Sequence, residues 1–195
     1  MSQKISSLNA VAVIALVALL WVACGDEPSQ SVPAKQNASA DSVLTNPIVN
    51  DTSAWTAGST TAARGDYVGT LVAVRTARHA GYDRIVFEFR DEELPNYHVE
   101  YIDRPVRACG SGEEVPLAGD GWLEIRLEPA NAHEETGTPT ILERNRTPTL
   151  PNLRELKQTC DFEAVVSWVA GVRSPNPYRV LELPNPTRLI IDLRH

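Results

Sequence analysis

Lysine is scarce in this chain: three lysines stand against fifteen arginines. Methionine occurs once, cysteine three times, and aromatic residues make up 6%. There are four histidines, and His133-Glu134-Glu135 lacks the second histidine that would complete a zinc pair on a helix. No CxxC pair is present, which removes the usual redox motif. Gly110-Ser111-Gly112 has the wrong spacing for a nucleophile elbow and reads as a turn. Glu92-Glu93 and Glu113-Glu114 read as solvated turns. A pair of carboxylates brought together only in space stays open, because sequence does not reveal such pairs. The expectation is therefore no enzyme, no cofactor and no metal.

Long apolar runs are also missing. The longest covers 10–23, AVAVIALVALLWVA, and is too short for a comfortable membrane helix. With Lys4 ahead of it, it suits the apolar core of an export signal. Trp21-Val22-Ala23-Cys24 closes it and resembles a bacterial lipobox, with Trp21 where leucine is usual. The expectation is a lipoprotein signal peptide over 1–23 and acylation at Cys24. A plain signal peptide with an incidental cysteine is the alternative. Two or more acyl chains hold a protein stably where one does not, at about 0.8 kcal/mol per buried CH₂. The product would sit on the outer face of the cell membrane, lipid-anchored and extracytoplasmic.

The formal net charge is −7. Removal of Lys4 with the signal takes it to about −8. Such a balance argues against general nucleic-acid binding, which needs a basic face, and against a polybasic membrane contact. It leaves room for a local basic patch.

Residues 24–64 are rich in Ser, Thr, Ala, Asn and Pro with little periodicity. Such a stretch buries too little surface to offset its ordering entropy and reads as a flexible tether. Trp55 is its exception: it either docks on the folded domain or a partner, or has no role. From residue 65 to 195 the texture changes. Segments 67–75, 84–90, 97–102, 122–127, 162–172, 178–183 and 187–193 are β-rich, and several alternate cleanly. Ile85, Phe87 and Phe89 share one face, as do Leu123, Ile125 and Leu127. Only 152–159, NLRELKQT, suggests a short helix. The expected fold is all-β, a small sandwich or partly closed barrel of about seven strands. The last of them is structural, so deleting 189–193 should damage the fold.

One pattern repeats. Residues 83–90 and 187–194 both read arginine, two aliphatics, an apolar residue, an acid, an apolar residue, arginine. They are equivalent or partnering strands, or two amphipathic strands alike by chance. Cys109 and Cys160 remain after Cys24, and export favours a disulfide between them, holding the polar region 129–151 to the sheet. Two buried free thiols are the alternative.

Several of these segments resemble one family. Gly81-Tyr82-Asp83-Arg84-Ile85-Val86-Phe87-Glu88-Phe89, Tyr97-His98-Val99-Glu100-Tyr101, Asp161-Phe162-Glu163 with Ser167-Trp168-Val169-Ala170-Gly171, and Arg188-Leu189-Ile190-Ile191-Asp192-Leu193-Arg194-His195 look like the AMIN-like lipoproteins of actinobacteria. The likeness runs over 66–195. The related AMIN domain is a β-sandwich that helps localise periplasmic amidases and secretins at the cell wall. The resemblance implies a non-catalytic module that binds peptidoglycan or an attached polymer. A protein-interaction module for an exported envelope enzyme or complex is the alternative.

The ligand surface is sought among aromatics with polar neighbours: Tyr82, Tyr97, Tyr101, Trp122, Trp168 and Tyr178. At least half of these belong to the core, Trp168 foremost. Tyr82 and Tyr97 are the candidates, with Arg84 and Arg188 to hold a carboxylate. The competing reading pairs those arginines across strands with Asp192 or Glu88.

Overall fold

A computed structural model describes residues 54–195. The expected signal, Cys24 and the tether as far as residue 53 lie outside the described residues. Eleven strands follow: β1 (Thr60–Ala62), β2 (Gly69–His79), β3 (Tyr82–Phe89), β4 (Tyr97–Ile102), β5 (Gly121–Leu127), β6 (Ala130–Asn131), β7 (Asn145–Arg146), β8 (Leu153–Phe162), β9 (Val165–Val172), β10 (Tyr178–Leu183) and β11 (Arg188–Arg194). They form a six-stranded sheet in the order β1-β4-β5-β9-β8-β7 and a five-stranded sheet in the order β10-β11-β3-β2-β6. All pairs are antiparallel except β2 with β6. The result is an all-β sandwich, partly closed along one side.

Alternation produces the two inner faces. Ile85, Phe87 and Phe89 on β3 and Leu123, Ile125 and Leu127 on β5 are buried, while Arg84, Glu88 and Arg126 point away from the core. Trp168 on β9 is fully buried and meets Phe87 edge-on, ring centres 6.2 Å apart, which joins the sheets at mid-core. Six of the seven expected segments each correspond to one strand, and β11 is an interior strand of its sheet. The repeated segments are partners. β3 and β11 run side by side, with Arg84 opposite Asp192 and Glu88 opposite Arg188.

Two expectations about local structure are corrected. The short helix at 152–159 is strand β8. Its register shifts at Leu153/Glu155 and again at Gln158/Cys160. Each bulge inserts an extra residue, so Leu153 and Leu156 both reach the core at a spacing that imitates a helix. The long segment 162–172 is not one strand either. Glu163 and Ala164, at φ 50° and 57°, make a tight turn between β8 and β9.

The fold also begins earlier than residue 65. β1 pairs with β4, Thr61 opposite His98. Ahead of it, Thr56 exchanges two backbone hydrogen bonds of 2.8 Å with Tyr178 on β10. Residues 55–62 thus run as a strap from the edge of one sheet to the edge of the other. Such edge pairing is carried by backbone groups, so Ser, Thr and Ala suffice for it, and the composition reads as a spacer.

Cys109 and Cys160 form a disulfide across a separation of 51 residues. What it holds is not 129–151 but the segment 103–120, which lies over the outer face of the six-stranded sheet. Val106, Leu117 and Val169 are buried there, with Ile102, Val115 and Trp122 packed around them. Glu155 accepts the Ala118 N–H at 2.8 Å, and Lys157 Nζ donates to the Pro116 carbonyl at 2.7 Å. Removing the bridge by Cys109→Ser with Cys160→Ser is expected to cost about 2–4 kcal/mol. Urea unfolding with and without the bridge measures it, and a loss below about 1 kcal/mol would mean the segment holds itself.

Candidate functional site

The turn between β2 and β3 marks one end of the sandwich. Tyr82 starts β3 there. Its ring stacks on His79 with centres 4.8 Å apart and planes 7° from parallel. Trp55, from the strap, meets it edge-on at 6.1 Å. The guanidinium groups of Arg84 and Arg179 lie 5.3 Å from the Tyr82 ring centre, and those of Arg179 and Arg194 lie 4.9 and 4.6 Å from that of Trp55. Trp55, at the end of the expected tether, is therefore docked on the folded domain.

Asp192 organises the arginines. It is fully buried, although it points away from the core between the sheets. Arg84 donates to it twice, Nε to Oδ1 at 2.7 Å and Nη2 to Oδ2 at 3.0 Å, and Arg179 Nε donates to Oδ2 at 2.9 Å. A buried carboxylate needs such partners. In return, its hydrogen bonds raise the Arg84 guanidinium further above the ordinary arginine range. Arg84 is thus spent on cross-strand pairing, as the competing reading had it.

A second buried carboxylate ties the sheets together at this end. Asp83 is fully buried, and its Oδ2 accepts the N–H groups of Asn152 and Leu153 at 2.7 and 2.9 Å. Asn152 in turn donates through Nδ2 to the carbonyls of Arg194 at 2.9 Å and Ser174 at 3.2 Å. Its own carbonyl accepts the Arg173 N–H at 2.8 Å. Three chain segments that are distant in sequence converge on one asparagine.

The four candidate residues are not brought together. Tyr82 and Arg84 share this end. Tyr97 is buried on the core side of β4, its hydroxyl donating to Glu182 at 2.8 Å. Burial and that carboxylate push its phenol well above the usual tyrosine range. It belongs to the core and offers no exposed ring. Arg188 sits at the far end of β11, opposite Glu88, and its Nε donates to the Pro186 carbonyl at 3.0 Å. Six residues along a strand put it about 20 Å from Tyr82. Glu88 is held by Arg75 instead. Trp55, Arg179 and Arg194 complete the cluster, and sequence reading did not single out these two arginines. The pattern that could have found them is the register itself, since Arg179 lies opposite Asp192.

Other chemistry is thin. Thr61 Oγ1 is 2.7 Å from His98 Nδ1, and His98 Nε2 is 3.1 Å from Glu100. The order is that of a nucleophile relay, but the His98 and Glu100 side chains are 36% and 44% exposed, and the depression of about 510 Å³ that Thr61 and His98 help to line is open to water. Among the described residues, no group of three or more His, Cys, Asp or Glu side chains is placed to hold a metal ion.

No curated protein and no solved structure matches the chain. A family model does: the one described as AMIN-like domain matches residues 69–195, from the first residue of β2 to the chain terminus. Well over half of the sequence lies inside that match, and the chain belongs to the AMIN-like domain family.

Proposed function

We propose that this chain is an extracytoplasmic lipoprotein module, acylated at Cys24 and held on the outer face of the cell membrane, that binds cell-wall polymer. The polymer is peptidoglycan or a chain attached to it. The observation that carries the reading is the Trp55–Tyr82 pair framed by Arg84, Arg179 and Arg194 at the end where the chain enters the fold. Aromatic faces with fixed guanidinium groups suit sugar rings and their acidic substituents. The general association of AMIN-like domains with cell-envelope and peptidoglycan-binding roles supports the same reading.

The test is co-sedimentation of the unacylated chain from Gly25 onward with isolated sacculi. Saturable retention is expected, weakened about tenfold by Tyr82→Ala or Trp55→Ala, in line with roughly 1.4 kcal/mol for an aromatic contact. Wild-type retention no better than that of a denatured control would overturn direct wall binding.

A second reading, a protein-interaction module for an exported enzyme or complex, has its own support at the opposite end. Leu142 and Phe162 are 88% and 56% exposed there, and Phe162 borders a groove of about 290 Å³ beside the disulfide. The two readings predict protection of opposite ends of the sandwich in a complex.

A further inference from the structure

The charges of this sandwich are sorted by end. Around the turn opposite the β2–β3 hairpin stand Asp91, Glu92, Glu93, Glu134, Glu135 and Glu163. The arginines near that end are largely tied to carboxylates: Arg64 to Glu182, Arg90 to Glu134, Arg126 to Glu128, and Arg146 to Glu143. The hairpin end is the reverse. Arg78, Arg154, Arg173 and Arg194 are all exposed there. Among the described residues none of the four has a carboxylate within ion-pair distance. Arg154 reaches only the Leu150 carbonyl, at 3.4 Å, and Arg194 lies over the Trp55 ring.

The fold gathers these four around one point. Arg78 is the cross-strand partner of Asp83. Asp83 takes the N–H groups of Asn152 and Leu153, and Arg154 is the next residue. Arg173 donates its backbone N–H to Asn152, and Arg194 accepts from the Asn152 side chain. The nearby carboxylates are fully buried: Asp192 is held by Arg84 and Arg179, and Asp83 takes two backbone N–H groups on Oδ2 and has His195 Nε2 3.7 Å from Oδ1. Neither forms an ion pair with the four exposed guanidinium groups. The exposed acids of this end, Asp103 and Asp120, pair with none of the four.

We infer that this end is an anion site for a polymer carrying repeated phosphodiester or carboxylate groups, held by Arg78, Arg154, Arg173 and Arg194. The inference rests on the wall-binding reading and names the chemistry of its ligand. Guanidinium forks match planar carboxylates and phosphates in a way a point charge does not. A membrane surface is the poorer occupant, because among the described residues the exposed large apolar side chains, Val68, Leu142 and Phe162, stand at the other end, where they cannot insert beside these arginines. The acidic far end turns the domain so that the arginines lead towards an anionic polymer.

The experiment uses the unacylated chain from Gly25 onward. Its probes are whole sacculi, sacculi stripped of attached anionic polymer, long-chain inorganic polyphosphate, and vesicles of phosphatidylglycerol with phosphatidylcholine. Binding to whole sacculi and to polyphosphate should fall with log salt at a slope of about −3, on the scale of about −0.7 per neutralised phosphate. Arg78→Ala with Arg154→Ala, Arg173→Ala and Arg194→Ala should weaken both at least tenfold and flatten the slope. The pair Arg107→Ala with Arg188→Ala, arginines elsewhere that also lack carboxylate partners, should change neither. Thermal unfolding of the fourfold variant checks that it is folded.

Retention that is indifferent to salt and to the fourfold variant would overturn the anion site while wall binding stands. Absence of wild-type retention on any sacculi, with polyphosphate binding that needs the four arginines, would support the anion site and overturn the wall as its source. Vesicle binding without polymer binding would overturn the polymer assignment.

Discussion

Asp83→Ala is expected to remove about 4 kcal/mol of stability, because it leaves two buried N–H groups without an acceptor and loses two hydrogen bonds to a charged group. The N–H groups belong to Asn152 and Leu153, and Asp83 itself is fully buried. For a domain of this size the melting temperature should fall by on the order of 15 °C. Asp83→Asn keeps a carbonyl oxygen with two lone pairs at the same place and should lose less than half as much. Thermal and urea unfolding of the two variants give the answer. An alanine variant within about 1 kcal/mol of the parent would show that the sheets are joined at this end by apolar packing alone.

The second large effect falls on the opposite sheet. Gly171 on β9 faces the segment 103–120, and a Cβ there would overlap the Ala118 carbonyl oxygen and lie 3.1 Å from its carbonyl carbon. Both sides of that contact are backbone, so no side chain is free to swing aside. Gly171→Ala must push the segment off the sheet and uncover Val169 and Leu117, for a loss on the order of 4 kcal/mol. Combined with loss of the Cys109–Cys160 bridge the cost should be clearly less than additive, since either change alone loosens the same segment. A double-mutant cycle by urea unfolding measures this. Strict additivity would mean that Gly171 and the bridge hold separate parts of the segment.

The strands legible in the sequence are those in which one face is dry and the other wet. β3 and β5 alternate because only one of their faces meets the opposite sheet, and that contrast is written residue by residue. β8 was hidden by its own two bulges, which break the period of two. β1 was hidden because a three-residue edge strand needs no apolar side chains. The disulfide followed from the cysteine count and the expectation of export, but the segment it restrains depends on where 103–120 lies across the sheet.

The site was legible in part. Tyr82 was visible as an aromatic at a strand start, and Arg84 with Asp192 followed from the repeated pattern once the strands proved adjacent. Tyr97 misled because a tyrosine with a polar tip is equally at home in a core that offers an acceptor, here Glu182. Arg78, Arg154, Arg173 and Arg194 carry no common motif. They are spread over more than a hundred residues and become neighbours only through Asp83 and Asn152.

The strap has a mechanical consequence. The chain joins the sandwich through Trp55 and Thr56, at the end that also holds the final strand and the four arginines. With a polymer on those arginines and tension on the chain ahead of Trp55, force would cross the fold only near this end, over the last residues of β2, β9 and β11 and the first of β3, β8 and β10. The long hydrogen-bonded ladders and the core behind them would carry almost none of it. The domain would then act as a shackle loaded at its pin rather than as a rod pulled end to end, and the Thr56–Tyr178 pair would be the first link to feel the strain.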